Sequence, residues 1–371
     1  MNNLQLNHEE MFNYYKMNFQ SLFSNSKDLD TLALKAVDRK KFQIQNFDTR
    51  IKNCAGEAAL GKTSFATYLK NWDTSSLKNI ATKNGGLLCG LFHFGAHRHF
   101  LLDTVCEGID TVSPIAGKAY DDLQNLARSG NNILANKIQL LDVEEGKVGR
   151  NLLRALRSGR IGGIYVDGNM GPSSQLPTDD CVYVNFFGKT FKVKAGIARL
   201  SLLLNIPILP VFCSGDTSNP SIHFGKLISP PDKSNACKQV YYNHAMQSLY
   251  LGLQEQVKNS PENWEYALCM HRWISSTDSN IKCHTPTDKV KFISINSNKV
   301  SFLLKDRRLV IVNTERGKGF KVPSELTETL SSLFSLDTVA WERFKLDIER
   351  ENYSAERLLE QMLTADIINI S

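Results

Sequence analysis

Buried strands and covering helices alternate through the centre of the chain. The strand candidates are continuous apolar runs, as parallel strands buried on both faces require: Leu87–Phe92, Ile161–Val166 and Ile206–Cys213. Between them, Val148–Leu156 and Ala195–Leu204 repeat apolar residues at the spacing of one helix face. Because such a succession forms right-handed crossovers, the pattern predicts an α/β domain over residues 51–275, with a layered, mostly parallel sheet flanked by helices.

The N-terminal segment follows a helical pattern of its own. In residues 1–50, Met11, Tyr15 and Phe19 recur on one face of an amphipathic helix. Helices that lie on membranes usually carry many lysines on their polar face, and Lys16 is the only lysine of this helix. We therefore expect the segment to pack onto the body of the protein.

The pattern changes again after a polar stretch at 276–289, which predicts a linker. Residues 290–371 are expected to form a small α+β module of a hairpin and three helices: Val300–Leu304 with Leu309–Val312, then 323–335, 338–350 and 354–365. Charge divides within the module. Residues 290–321 hold 8 basic and 2 acidic side chains, and residues 322–371 hold 4 basic and 10 acidic ones.

Composition narrows the class of protein. Among 371 residues, 42% are hydrophobic and 22% charged, which excludes wholesale disorder and coiled coil. The sequence shows no apolar run of membrane-spanning length, no secretory signal and no C-x-x-C pair among its eight cysteines, so we expect a cytoplasmic protein with at most peripheral membrane contact. The net charge of +6 is diffuse, which favours acidic partners but not nucleic acid.

The first apolar run ends in a cluster of three histidines, His93, His97 and His99. Their spacing suits a metal site, but no carboxylate or thiolate is clearly placed beside them, so we predict no metal. His93 directly follows the strand, and Gly95 permits a sharp turn into a helix. Active-site groups of parallel sheets lie at this carboxyl edge, so we predict that His93 is functional; packed histidines near a strand end are the alternative.

Two further clusters contain candidate functional residues, and the first would reach the same edge of the sheet as His93. Asp167 ends the run Ile161–Val166 and is predicted to orient His93, unless it only caps a turn. Backbone N–H groups around Gly95 and Asn169 are candidate oxyanion donors. A third group stands where a helix is predicted to begin and suits an anionic group, although such cations are often merely solvated: Lys194, Gly196 and Arg199.

Residues Gly56–Thr63 fit the P-loop pattern G-x-x-x-x-G-K-[ST]. A nucleotide loop requires a buried strand before it, and Thr49–Cys54 is a poor one. Glu57–Leu60 also favours a helix. A nucleotide enzyme using Lys62 is therefore the weakest of the functional hypotheses.

Four stretches in order resemble the lipid A biosynthesis acyltransferases of the lysophospholipid acyltransferase superfamily: GGLLCGLFHFG at 85–95, VDGNMGP at 166–172, VNFFGKTFKVKAGIARLSLLLNIPILPVF at 184–212 and PENWEYALCMHRW at 261–273. The resemblance implies transfer of a fatty acyl group from an acyl-carrier-protein or coenzyme A thioester to a hydroxyl or amine, with no bound cofactor. It implies His93 and Asp167 as catalytic residues. The substrate-binding candidates are Gly95, His97, Arg98, Asn169, Lys194, Gly196, Arg199 and Arg272.

Two departures from the family pattern matter. The signature of the family is His, four residues, then Asp or Glu, and Arg98 stands at the acid position. A cation there disfavours an imidazolium, the reverse of what an acid does. Either Asp167 replaces the acid, or Arg98 contacts an anionic substrate group, or the site is inactive. Secondly, a polar helix stands where the family usually has a membrane anchor, so we expect a soluble enzyme.

The C-terminal hairpin SFLLKDRRLVIVNTERGKGFKVP at 301–323 and the helices after it resemble the peptide-binding winged-helix modules of peptide natural-product (RiPP) pathways. Such modules capture a leader peptide by strand addition, and the resemblance implies a precursor peptide as a partner. A winged helix with a structural role is the alternative. We predict a soluble acyltransferase acting on a peptide or natural-product intermediate, with a catalytically degenerate scaffold subunit or a lipid A/phospholipid-type acyltransferase as alternatives.

Overall fold

The computed structural model describes residues 8–23, 28–59, 74–101, 104, 109–115, 120, 138–143, 147–168, 181–215, 220–231, 237–274, 290–296, 299–305, 308–314, 318–334, 336 and 338–370. The chain divides into two compact units. The first unit lies within Asp38–Gly188 and Lys192–Tyr266, and the second lies within Gln5–Val37, Lys189–Phe191 and Ala267–Ser371.

The first unit is built on a six-stranded sheet. The strands described up to residue 224 are β1 (Leu88–Leu91), β2 (Thr111–Ile115), β3 (Ile138–Asp142), β4 (Ile161–Tyr165), β5 (Cys181–Phe186), β6 (Lys189–Lys194), β7 (Ile208–Gly215) and β8 (Pro220–Phe224). The sheet has the order β3-β2-β4-β1-β7-β8, and β5 pairs with β6 in a separate two-stranded sheet. All pairs of the main sheet are parallel except β7 with β8.

Helices cover this sheet. The helices described up to residue 259 are α1 (His8–Leu22), α2 (Leu29–Ala59), α3 (Thr74–Asn84), α4 (Val148–Arg157), α5 (Gly196–Leu204) and α6 (Lys238–Asn259). Of these, α1 belongs to the second unit. Helix α4 contacts β2, β3 and β4, while α5 and α6 contact each other and β7. Gly90 in β1 permits this close packing, because a Cβ there would lie 2.9 Å from the Leu249 side chain of α6.

From residue 290 onward, the described part of the second unit forms two antiparallel sheets and three helices. Its strands are β9 (Phe292–Ile295), β10 (Val300–Lys305), β11 (Arg308–Asn313), β12 (Lys318–Lys321), β13 (Thr338–Ala340) and β14 (Ile368–Ile370), and its helices are α7 (Thr327–Phe334), α8 (Trp341–Arg350) and α9 (Ala355–Thr364). The sheets have the orders β10-β11-β12 and β13-β9-β14. Leu330, Phe344 and Met362, one from each helix, are fully buried in the core.

Helix α1 contributes to the second unit by contacting β10. The Ser301 hydroxyl donates to Gln20 Oε1 over 2.9 Å, and the Ser21 hydroxyl donates to the Thr314 carbonyl over 2.7 Å. Met17 and Val312 are buried in the same apolar cluster. The unit therefore joins a segment from each end of the chain.

The predicted α/β class is confirmed, because a mostly parallel sheet flanked by helices forms around β1, β4 and β7. The three apolar runs form these strands. All four residues of β1, the first six of β7 and the first three of β4 are buried, whereas Ile164 and Tyr165 of β4 are only partly buried. None of the described helices has the length and apolar character needed to cross a membrane.

Other predictions had different outcomes. Residues 338–340, predicted as the start of a helix, form strand β13, and β9 and β14 beside it were not predicted. Such three- and four-residue strands carry little periodicity of their own. The winged-helix assignment and the domain boundaries stay predictions. The linker at 276–289 and the P-loop residues from Leu60 to Thr63 lie outside the described residues.

Candidate active site

The candidate catalytic residues stand where two neighbouring parallel strands end. In the register of the sheet, Leu91 at the end of β1 lies opposite Tyr165 at the end of β4. His93 follows β1 by two residues, and Asp167 follows β4 by two residues. The equal spacing brings both side chains to the carboxyl edge, where open parallel sheets hold their ligands.

Asp167 holds His93 through both carboxylate oxygens. Oδ1 lies 2.7 Å from His93 Nδ1, while Oδ2 accepts from the backbone N–H of His93 over 3.0 Å and from Trp264 Nε1 over 3.1 Å. The Asp167 side chain is fully buried, and the His93 side chain keeps 19% of its surface exposed. Because a carboxylate only accepts hydrogen bonds, the proton of the neutral imidazole lies on Nδ1 and Nε2 keeps its lone pair.

Aromatic rings fix the plane of the imidazole. The centroid of the His93 ring lies 4.4 Å from that of Tyr165 and 4.0 Å from that of Tyr266, with interplanar angles near 30° to both. The edge of His97 meets the His93 ring at a centroid distance of 4.9 Å. Burial raises the pKa of the Tyr165 hydroxyl well above its usual value, so this neighbour stays neutral.

The backbone after His93 makes a tight turn. The N–H of Gly95 donates to the Asn263 carbonyl, and the N–H of Glu265 donates to the His93 carbonyl, each over 2.9 Å. Gly95 has a φ of 57°, and a Cβ there would lie 1.9 Å from the Cys213 carbonyl oxygen, so only glycine fits. The N–H of Gly95 itself is therefore used within the protein, while an oxyanion role for other N–H groups around Gly95, and contact of Gly95 with substrate, stay predictions.

Arg98, at the position of the family's acid, is paired with an acid from a distant part of the sequence. Its guanidinium contacts the Glu265 carboxylate through both terminal nitrogens, Nη1 to Oε1 and Nη2 to Oε2, the latter over 2.9 Å. His97 Nε2 lies 3.1 Å from Glu265 Oε1, and Lys40 Nζ lies 3.7 Å from Oε2. Glu265 and His97 are both buried, so Arg98 is held by the protein.

The ionisation of this cluster follows from burial and charge. Burial lowers the pKa of His97 to about 4, and the cation of Arg98 acts in the same direction. Burial opposes ionisation of Glu265, but Arg98, His97 and Lys40 together outweigh it and hold the pKa of that carboxyl well below its usual value. Burial likewise disfavours the Arg98 cation, and Glu265 raises its pKa above the ordinary value. At neutral pH the cluster therefore contains an ion pair and a neutral His97.

The remaining candidates from the sequence lie elsewhere or outside the description. Lys194 ends β6, Gly196 begins α5, and the Arg199 guanidinium lies 5.6 Å from the ring centroid of Tyr242. His99 is buried in the short turn His97–His99. Asn169 lies outside the described residues, and of Arg272 the structure describes only the backbone. Contacts of Lys194, Gly196, Arg199 and Arg272 with substrate stay predictions.

Several residues of the site were missed by sequence reasoning. Glu265, Trp264 and Tyr266 belong to one segment, and Tyr165 precedes Asp167 by two residues. The segment was available as a signal, because 261–273 is one of the stretches that carry the family resemblance. Its contacts with 93–98 span about 170 positions of the chain (168 for His97 with Glu265), and no spacing rule predicts these.

In the described part of the chain, no group of three or more His, Cys, Asp or Glu side chains is arranged to hold a metal ion. The geometry supports proton transfer instead: an imidazole with a buried carboxylate on Nδ1 and partial exposure.

A histidine–carboxylate pair stands at the carboxyl edge of a mostly parallel sheet, and such a pair is suited to general-base chemistry. The family model of bacterial lipid A biosynthesis acyltransferases matches residues 76–273, more than half of the chain, and the chain belongs to this family. No curated protein matches the chain. Membership supports a general acyltransferase, and the matched range contains the whole cluster around His93 except Lys40.

Proposed function

We propose that the protein transfers a fatty acyl group from an acyl thioester to an amine or hydroxyl, with His93 as the general base. The observation that carries this proposal is the 2.7 Å contact between His93 Nδ1 and the buried Asp167 carboxylate. It supports the first of the three consequences of Arg98, in which Asp167 replaces the acid of the family signature.

The reaction follows from the tautomer of His93. Nε2 accepts the proton of the acceptor's O–H or N–H while that oxygen or nitrogen attacks the thioester carbonyl carbon. The imidazolium then faces the Asp167 carboxylate, which stabilises the positive charge. When the carbonyl re-forms, the C–S bond breaks, and the leaving sulfur takes the proton that His93 carries. No covalent acyl-enzyme is required.

The donor is proposed to be an acyl-carrier-protein or coenzyme A thioester, acting as a co-substrate. Lys194 and Arg199, near the N-terminus of α5, would bind a phosphate or carboxylate of donor or acceptor. Two cations and a helix N-terminus favour an anion on electrostatic grounds.

The acceptor is proposed to be a peptide or a natural-product intermediate bound by the second unit. The sheet β10-β11-β12 is antiparallel, and β12 pairs with one strand, β11, among the described strands. An extended peptide adding to such an edge gains main-chain hydrogen bonds. Lys321 is exposed on β12 and favours an acidic peptide, so Lys321→Glu should weaken its binding, measured by fluorescence anisotropy.

A second candidate function rests on Arg98 itself. A family signature that has lost its acid is typical of a degenerate enzyme, and such a fold would serve as a binding or scaffold subunit of a biosynthetic complex. The ion pair of Arg98 with Glu265 explains how the arginine is accommodated in either case.

One experiment separates the two functions. The full chain is incubated with acyl-carrier-protein and coenzyme A thioesters and candidate peptide acceptors, while thiol release and the intact mass of the peptide are measured. We expect thiol release together with an added acyl mass. Tight peptide binding without thiol release from any donor would instead support the scaffold.

A further inference from the structure

Glu265 takes no part in the reaction described above, although it is buried beside the proposed general base. It is 4% exposed and contacts Arg98, His97 and Lys40. Removing these charges from water costs free energy, which a functional or stabilising contribution of the cluster must offset. Arg98 stands at the acid position of the family signature, which suggests that the cluster contributes to the active site.

The hydrogen bonds of His97 can be assigned by counting protons. Glu265 only accepts, so Nε2 of a neutral His97 carries the proton and donates it to Oε1. Nδ1 then has a lone pair 3.1 Å from the Tyr165 hydroxyl, whose one proton is shared between Nδ1 and the His97 carbonyl oxygen, 3.2 Å away. The lowered pKa of His97 agrees with the neutral ring. Glu265 thus orients His97, and His97 orients Tyr165, whose ring centroid lies 4.4 Å from that of His93.

Resting on the proposed function, we propose that Glu265 is a positioning residue of the active site, which neutralises Arg98 and orients the two tyrosines that hold His93. Three contacts connect it to the general base. Its N–H donates to the His93 carbonyl over 2.9 Å, its chain neighbour Tyr266 stacks on the imidazole, and His97 links it to Tyr165.

Only an acidic residue can neutralise Arg98, so this part of the role depends on the charge of Glu265. Without Glu265 the guanidinium would act on His93 as an uncompensated cation and oppose protonation of the base. Six groups face or neighbour His93 and contribute to its charge environment: Asp167, Tyr165, Tyr266, His97, Arg98 and Glu265.

The test compares variants that remove the negative charge of Glu265 or the positive charge of Arg98. In Glu265→Gln, we expect the acid limb of the kcat/KM profile to move to lower pH by about half a unit, because the cations of Arg98 and Lys40 are left uncompensated. The plateau rate should fall about threefold to tenfold as the base weakens. In Arg98→Met the limb should move to higher pH, and in the double variant it should return to within about 0.2 units of the wild-type position.

The matched control is Glu262→Gln, the same substitution three residues earlier at a partly exposed position, and its profile should equal that of the wild type. Histidine ring titration by NMR at His93 gives the same comparison without turnover, in variants shown to be folded by circular dichroism. Shifts of opposite sign support the proposal. Equal shifts, or none, in the two single variants would overturn it even if the wild type transfers acyl groups; an inactive wild type would refute only the proposed function.

Discussion

Two buried acids have different electrostatic roles in the site. Asp167 contacts the imidazole that the mechanism requires to become positive, and Glu265 contacts the arginine that would otherwise oppose that charge. The sequence predicted the first contact, because both residues directly follow buried strands and the carboxyl ends of parallel strands share one edge of the sheet. It did not predict the second, which joins residues 167 positions apart.

The first prediction concerns the orienting acid. Asp167→Asn keeps the shape of the side chain but removes the charge that stabilises the imidazolium, so kcat should fall by about 100-fold or more with little change in KM. Steady-state kinetics measure both constants. Asp110→Asn, at an exposed position, should leave them unchanged. A kcat for Asp167→Asn within threefold of the wild type would contradict the role of this acid.

The second prediction concerns pH and stability. The pKa of His97 is lowered from 6.5 in the unfolded chain to about 4 in the folded protein. The unfolded chain therefore binds a proton that the folded protein does not, and stability is lost as pH falls from about 6.5 towards 4. From pH 7 to 4.5 this loss should be about 2 kcal/mol.

Urea denaturation at the two pH values measures the effect. In His97→Gln, which does not titrate, the part of the pH dependence that His97 contributes should disappear. Glu265 contributes in the acid range below this window, because its pKa is depressed and its stabilising charge is lost only at lower pH. Identical pH dependence in wild type and His97→Gln would refute the assignment of a buried neutral ring.

Secondary-structure elements were predictable where burial leaves a long pattern. Strand β7 was evident because six consecutive positions are buried, and α4 was evident because Leu152, Ala155 and Leu156 repeat on one face. Strand β13 was not predictable, since its three residues alternate exposed, buried and exposed and pair with β9, more than forty residues away. Pairing of this kind is decided by tertiary contacts.

The turn after β1 gives the third prediction. Gly95→Ala would place a methyl group against the Cys213 carbonyl in a backbone region that favours glycine. We expect a loss of about 3 kcal/mol or more in unfolding free energy, together with a large fall in kcat because the turn also carries His93. Gly149→Ala on α4, where a Cβ meets open space, should be neutral or stabilising. Equal stability of the two variants would show that the turn is not constrained.

At the scale of the whole molecule, the compact units do not follow the order of the sequence. Helix α1 was expected to pack onto the body, and it contributes to the unit that contains residues 267–371. Sequence patterns show that its apolar face must be buried, but they cannot show against which partner, because Met17 meets Val312 almost three hundred residues later.

The fourth prediction tests that contact. Met17 is 1% exposed, so Met17→Ala should lower the free energy of unfolding of the second unit by about 2–3 kcal/mol. Hydrogen exchange should become faster in α1 and in strands β10 to β12, with β1, β4 and β7 as an internal reference. Leu346→Ala, on α8 and 53% exposed, should have almost no effect. Unchanged exchange in β10 would show that α1 does not stabilise the sheet.

The activity assigned to the chain depends on one imidazole accepting a proton. The most direct measurement is the rate of thiol release from an acyl thioester, in the presence of an acceptor, by wild type, His93→Ala and the matched control His244→Ala, which changes an exposed histidine on α6. We expect His93→Ala to lose at least about 100-fold in rate while remaining folded, and His244→Ala to match the wild type. Equal rates for His93→Ala and the wild type would contradict the account.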